Sequence, residues 1–366
     1  MKITALCTSS YSHQLDHLAP LASTLEIPLI LTDPDLFHLC QKYYPSTNVV
    51  YTEEKECSLE YLSHLADLLI LSCKHWAREL AFSFHTLYQK KMRFCYAPHG
   101  NSDKGSLNPA SDLLFGQDLS LIYGDHMKEM LKKRGVLSSL QGTVLSGNYR
   151  LHHYHQHQDF YDTLVNQEVF SLFEHPSSMT FLYAPTWNDS EHSSSFFKAI
   201  HTLLDALPTS WNLLVKLHPN LERDDPAKVY RVIAQYESKK NIVFLTNYPP
   251  VYPILNKVAG YIGDFSSVGY DFLYFNRPMF FINADQRDPH LDEGLSLFKC
   301  GKILDLSSPL WIEQIEQELL APCVEWMEKR KRVYDYTFDS KIDYSTIKAS
   351  LIALAHKTDY SISLSS

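Results

Sequence analysis

Residues 261–283 read YIGDFSSVGYDFLYFNRPMFFIN. The apolar run 258–262 leads in and suits a buried strand. Gly263 and Asp264 break that run. Ser266 and Ser267 then stand where a helix N-cap belongs, ahead of Val268, Tyr270, Phe272 and Leu273. Arg277-Pro278 stop the helix, and 279–282 reads as the next buried strand. The order is strand, tight polar turn, helix, strand. A helix start in such a unit gathers unpaired N–H groups and the positive end of the helix dipole. Two hydroxyls at that point either cap the helix or cradle a phosphate. The turn alone leaves both readings open.

The same alternation runs outward through the chain. Apolar strand-like runs fall at 3–7, 28–32, 48–51, 68–73, 92–96, 119–123 and 143–145. Helical spacing separates them at 14–25, 35–44, 59–65, 77–88 and 125–133. The second half repeats the pattern, with strands at 180–183, 212–217, 242–246 and 301–306. Its helices fall at 196–204, 227–236 and 250–256, and closing helices at 312–334 and 345–355. Strands spaced by helices predict parallel sheets in an α/β fold. Two doubly wound halves of similar size predict a ligand cleft beyond the strand C-terminal ends.

Composition narrows the function classes. The chain has 366 residues, 45% of them hydrophobic, enough for two domains with their own cores. A formal net charge of −9 argues against a general nucleic-acid surface. Seven cysteines (7, 40, 57, 73, 95, 300 and 323) form no CxxC pair. They read as buried thiols in a reducing compartment, not as a disulfide scaffold or zinc site. MKITALCTSS is too short an apolar start for a signal peptide, and no run approaches a membrane span. The expectation is a cytoplasmic protein, at most peripheral on the inner face of a membrane. LHHYHQHQD at 151–159 carries four histidines in no metal-ligand spacing and reads as a solvated helix face.

Polar loops end several of these strands. The strand at 92–96 runs into His99-Gly100-Asn101-Ser102-Asp103-Lys104-Gly105, which suits a loop that approaches an anion. The others are Ser146-Gly147-Asn148-Tyr149-Arg150, Ala184-Pro185-Thr186-Trp187-Asn188-Asp189 and Lys216-Leu217-His218-Pro219-Asn220. Each alone is a turn with a local hydrogen bond or packed aromatic. Together with the serine turn they place two His, two Lys and paired Ser at predicted strand C-termini. Asp103, Asp189 and Asp264 are acidic, but no ligand spacing connects them, so no metal site is assigned.

In order and spacing these motifs (HG…K at 99–104, SGNYR at 146–150, YAPTW at 183–187, KLHP at 216–219 and GDFSSVGYDF at 263–272) resemble the CDP-glycerol glycerophosphotransferase family. Those are the polymerases and primases of wall teichoic acid. The resemblance covers 92–283, about half the chain. It implies a GT-B fold: two Rossmann-like doubly wound parallel-sheet domains facing across a cleft. The implied division is an N-terminal acceptor-side domain over 1–160, a donor-binding domain over 161–340, and a closing helix over 341–366 returning to the first domain. It implies that His99 is the general base and that His218 contacts the diphosphate. Lys104, Arg150, Thr186, Trp187, Lys216, Pro219, Asp264, Ser266, Ser267 and Asp271 would form the donor side. The implied reaction moves glycerol phosphate, or a related alditol phosphate, from a CDP-linked donor to an acceptor hydroxyl on a glycan or lipid-linked molecule, releasing CMP. No tightly bound cofactor is implied, and no nucleic acid partner. The chain has HGNSDKG where the family has HGTPLK, Asn188 where it has Arg, and a 285–290 segment that is not rich in Tyr and Glu. Two alternatives therefore stay open: a sugar-nucleotide glycosyltransferase or UDP-sugar 2-epimerase on the same fold, and a catalytically silent nucleotide- or partner-binding protein.

Overall fold

β1 (Ile3–Cys7) is buried along its whole length, as a strand covered on both faces must be. The computed structural model describes residues 1–72, 77–101, 118–188, 194–284, 286–288, 296–308, 310–339 and 341–357, except for the side chains of 77–79. Lys104, Cys73, Asp103 and Asp189 lie outside the described residues, as does most of HGNSDKG. The chain divides into two compact units. One is Met1–His99, Pro109–His155 and Tyr336–Ser366, and the other Gly100–Asn108 and Gln156–Asp335.

In the first unit β1 is followed by α1 (Ser12–Thr24), β2 (Leu29–Leu31), α2 (Pro34–Tyr43), β3 (Val49–Tyr51), α3 (Leu59–Leu65), β4 (Leu68–Leu71), α4 (Ala77–Tyr88) and β5 (Arg93–Tyr96). Then come β6 (Leu119–Ile122), α5 (Asp125–Lys133), β7 (Gly142–Leu145) and α6 (Tyr149–Gln156). The sheet is parallel throughout, in the order β3-β2-β1-β4-β5-β6-β7. Leu6, Ile30, Leu69, Leu71, Phe84 and Phe94 meet in one apolar cluster on it.

The second unit holds α7 (Gln158–Glu168), β8 (Met179–Ala184), α8 (Phe196–Asp205), β9 (Trp211–Lys216), α9 (Pro219–Asp224), α10 (Pro226–Tyr236) and β10 (Ile242–Leu245). It continues with α11 (Tyr252–Lys257), β11 (Gly260–Gly263), α12 (Ser267–Phe272), β12 (Met279–Phe281), β13 (Lys302–Ile303) and α13 (Trp311–Leu320). Its six strands run parallel in the order β10-β9-β8-β11-β12-β13. The order reverses between β8 and β11, which is where open sheets of this kind bind ligands. Phe181, Phe196, Leu213, Ile262 and Phe280 anchor the core.

α14 (Val324–Phe338) follows, and α15 (Ile347–Lys357) closes the described chain. α15 lies against β7 in the first unit, where a Cβ on Gly142 would come within 2.6 Å of Leu354.

Three expectations need correction. The helix expected over 312–334 is two, broken at 321–323, where Pro322 cannot donate a backbone N–H. The strand expected over 301–306 shrinks to Lys302–Ile303 at the sheet edge. The His-rich segment is a solvated face only in its second half, where His155 is exposed. His153 is buried and His152 stacks on Tyr344 with ring centroids 4.1 Å apart. Tyr344, ahead of α15, covers His152, and Tyr44, just after α2, lies against His153.

No helix among the described residues is long and apolar enough to cross a membrane. Cys7, Cys40, Cys57, Cys95, Cys300 and Cys323 are free thiols, and burial pushes Cys40 up to about 12.

Candidate active site

In the second unit, register carries the sequence motifs to one level. Gly263 of β11 pairs with Ala184 of β8, and Tyr183 pairs with Val215 of β9. The loops after β8, β9 and β11 therefore emerge side by side at the C-terminal edge, around the reversal in strand order.

Asp264 ties two of these loops together. It is fully buried, and Thr186 N–H donates to its Oδ1 at 2.8 Å. Ser195 donates to its Oδ2 twice, from N–H at 2.8 Å and from Oγ at 2.7 Å. Ser194 Oγ in turn donates to the Thr186 carbonyl at 2.7 Å. The carboxylate thus fixes the 185–188 loop from below and has a positioning place. Burial above all, and then this carboxylate, pushes the Tyr183 and Tyr261 phenols well above their ordinary value. Asp271 is likewise buried and accepts from Tyr252 Oη at 2.8 Å.

The two serines part company. Ser266 stands at the N-cap with extended backbone, yet its side chain makes no capping bond. It is buried beside the Tyr261 hydroxyl. Ser267 is half-buried, and Gly100 packs directly on it. A Cβ at Gly100 would lie 2.8 Å from Ser267 Oγ. Asn101 beside it is buried, and its Nδ2 has no hydrogen-bond partner among the described residues.

His218 caps α9, with Pro219 as the first helical residue. Asn220 N–H donates to His218 Nδ1 at 3.1 Å. A neutral His218 therefore carries its proton on Nε2, a donor suited to an anion. The Trp187 ring lies 6.2 Å from it at a 31° tilt. Lys216, at the end of β9, donates to the Tyr248 carbonyl at 2.8 Å. Arg287, after β12, spreads over the Phe265 ring at 4.8 Å. The sequence reading passed over Arg287, although a cation five residues beyond the apolar run 279–282 is a readable signal.

The remaining candidates belong to the first unit. Arg150 is buried in an ion pair with Asp16, which also accepts from Tyr44 Oη at 2.7 Å. His99 follows β5, in contact with His13 and His17 at ring-centroid distances of 5.8 and 6.5 Å. His13, His17 and Tyr123 were not legible as site residues, because α1 reads as an ordinary helix and Tyr123 as the end of the strand at 119–123. Burial, and then Arg150, His99 and His13, hold the His17 imidazole well below its usual value. No group of three or more His, Cys, Asp or Glu among the described residues is arranged to hold a metal ion.

Two parallel-sheet α/β units of this kind define the GT-B class, and solved structures of that fold superpose on the whole chain. One is the wall teichoic acid polymerase TagF, as a variant soaked with CDPG. It is 16% identical, with 97% of this chain and 88% of that chain covered, and a TM-score of 0.63. Another is the S. aureus MnaA–UDP co-structure, at 14% identity, coverage of 96% and 95%, and a TM-score of 0.57. A third is the UDP-GlcNAc 2-epimerase of Neisseria meningitidis bound to UDP-GlcNAc, at 12% identity, coverage of 98% and 100%, and a TM-score of 0.57. At such identities the likeness speaks for the fold. No curated protein sequence matches. Residues 160–294 match the model of the CDP-Glycerol:Poly(glycerophosphate) glycerophosphotransferase family.

Proposed function

We propose that the protein transfers glycerol phosphate, or a related alditol phosphate, from a CDP-linked donor to an acceptor hydroxyl. One observation carries this reading. Every polar residue named above at the ends of β8, β9, β11 and β12 falls inside the family-matched stretch 160–294. These residues gather at the reversal point of the sheet.

In the proposed reaction the acceptor oxygen bonds to the β-phosphorus. The bond from that phosphorus to the bridging oxygen breaks, and CMP leaves with the electron pair. His99 takes the hydroxyl proton. The His218 Nε2–H, the Ser267 hydroxyl and the Lys216 and Arg287 cations offset charge on the diphosphate. Asp264 acts through the loop it holds, by presenting Thr186 and Trp187. No resident cofactor is needed for these steps. The acceptor, glycan or lipid-linked, would be met in the cytoplasm or at the inner face of a membrane.

The test is a donor screen. CDP-glycerol should raise the melting temperature and, with a hydroxyl acceptor, release CMP. His99→Ala should lose turnover and keep donor binding. UDP release with sugar transfer or inversion would establish the sugar-nucleotide reading instead. Absence of any shift across CDP-, UDP- and GDP-linked donors would leave a silent binding protein.

A further inference from the structure

We propose that Tyr123 and His17 are positioning residues for His99: one hydroxyl fixes the backbone that delivers it, and one tautomer-locked imidazole fixes the face of its ring. The proposal rests on reading His99 as the base. The chain reaches His99 through Ala97 and Pro98, both buried. Tyr123 follows the neighbouring strand β6 and is 2% exposed. Its hydroxyl donates to the Pro98 carbonyl at 2.7 Å. That bond decides a tautomer. A phenol has one proton, and a carbonyl can only accept. The same oxygen lies 3.1 Å from His17 Nδ1, so there it must accept. His17 therefore carries its proton on Nδ1 and a lone pair on Nε2.

The surroundings keep this arrangement single-valued. His17 is 5% exposed and meets the His99 ring in a T-shaped contact, with the rings 77° apart. The groups facing it are Arg150, paired with Asp16, then His13 and His99, and Tyr123. A second proton on His17 would sit beside the Arg150 guanidinium in a buried place, so the ring stays neutral. Tyr123 is held in turn by stacking on Tyr149 and by the edge of Phe338. A base must lie within hydrogen-bond reach of the proton it takes, and small misplacements are costly. The clamp meets that need from beneath, without touching substrate.

The experiment uses the full-length protein with CDP-glycerol as probe. Tyr123→Phe keeps the ring and removes the hydroxyl. It should lower kcat by about 10-fold or more while the donor KM stays within about twofold. His17→Asn offers an N–H near the Nδ1 place and should retain more turnover than His17→Ala. That pair decides the matter if Tyr123→Phe fails to fold. Nitrogen-15 NMR of the imidazoles reads the clamp without any turnover. His17 should show the Nδ1–H form, and the His99 ring signals should shift in Tyr123→Phe. Unchanged kcat in Tyr123→Phe with an inactive His99→Ala overturns the clamp and spares the base. Turnover by His99→Ala overturns the base, and the NMR arm then judges the clamp alone. An Nε2–H form of His17, or unmoved His99 signals, sinks it.

Discussion

Gly100 has a φ of +118° and the Ser267 side chain where a Cβ would go. Gly100→Ala meets both obstacles at once, backbone strain and a collision. A cost of about 1–3 kcal/mol is expected, with loss of donor binding, read by urea unfolding and calorimetry. Asp264→Asn turns one acceptor oxygen into a donor that faces another donor. It should destabilise by about 1–3 kcal/mol and weaken donor binding through the 185–188 loop, with His99 untouched. His17 gives a pH dependence. Its folded value lies below the unfolded one of about 6.5, so the unfolded chain binds the extra proton as pH falls. Its contribution is complete above that value and is lost as pH drops from there toward the folded value. A melting curve of His17→Asn against pH should therefore be flatter below about pH 6.5 than that of the natural chain.

At the scale of elements, α15 matters out of proportion to its length. Leu351, on its inner side, is fully buried. Leu351→Ala should cost about 2–4 kcal/mol and lower the melting temperature, as measured by calorimetry. The elements themselves were readable wherever burial on both faces made a continuous apolar run. The strand expected over 3–7 and the helices expected over 59–65, 77–88 and 125–133 have those bounds in the structure. The reading failed where tertiary packing overrides local pattern. His152 looks polar and solvated until Tyr344 of the returning segment stacks on it. Periodicity ran straight through 312–334, because a helical stripe continues on both sides of Pro322.

For the molecule as a whole, the grouping of the strand-end motifs was legible because parallel strands send every C-terminal loop to one edge. Thr186, Lys216, His218 and Ser267 could be grouped from their strand assignments alone. Which of them face outward was not legible. Spacing does not show that Asp264 and Asp271 are buried acceptors, nor that Ser266 turns toward Tyr261. The tyrosine-and-histidine support under His99 joins residues 17, 98 and 123, a separation that no local pattern encodes. A thermal-shift series tests the assembly. CDP-glycerol at 100 times its dissociation constant should add about 2.7 kcal/mol of apparent stability, and Arg287→Ala should demand a higher concentration for the same shift.

The first unit begins with Met1 and is completed only by the segment from Tyr336 onward. On a ribosome, β7 emerges long before the helix that shields it, with the entire second sheet translated in between. The face of β7 that Leu354 will cover is meanwhile bare and open to stray association. Stalled nascent chains that stop short of α15 should be the aggregation-prone species during synthesis, and slow translation of the second half should aggravate the hazard.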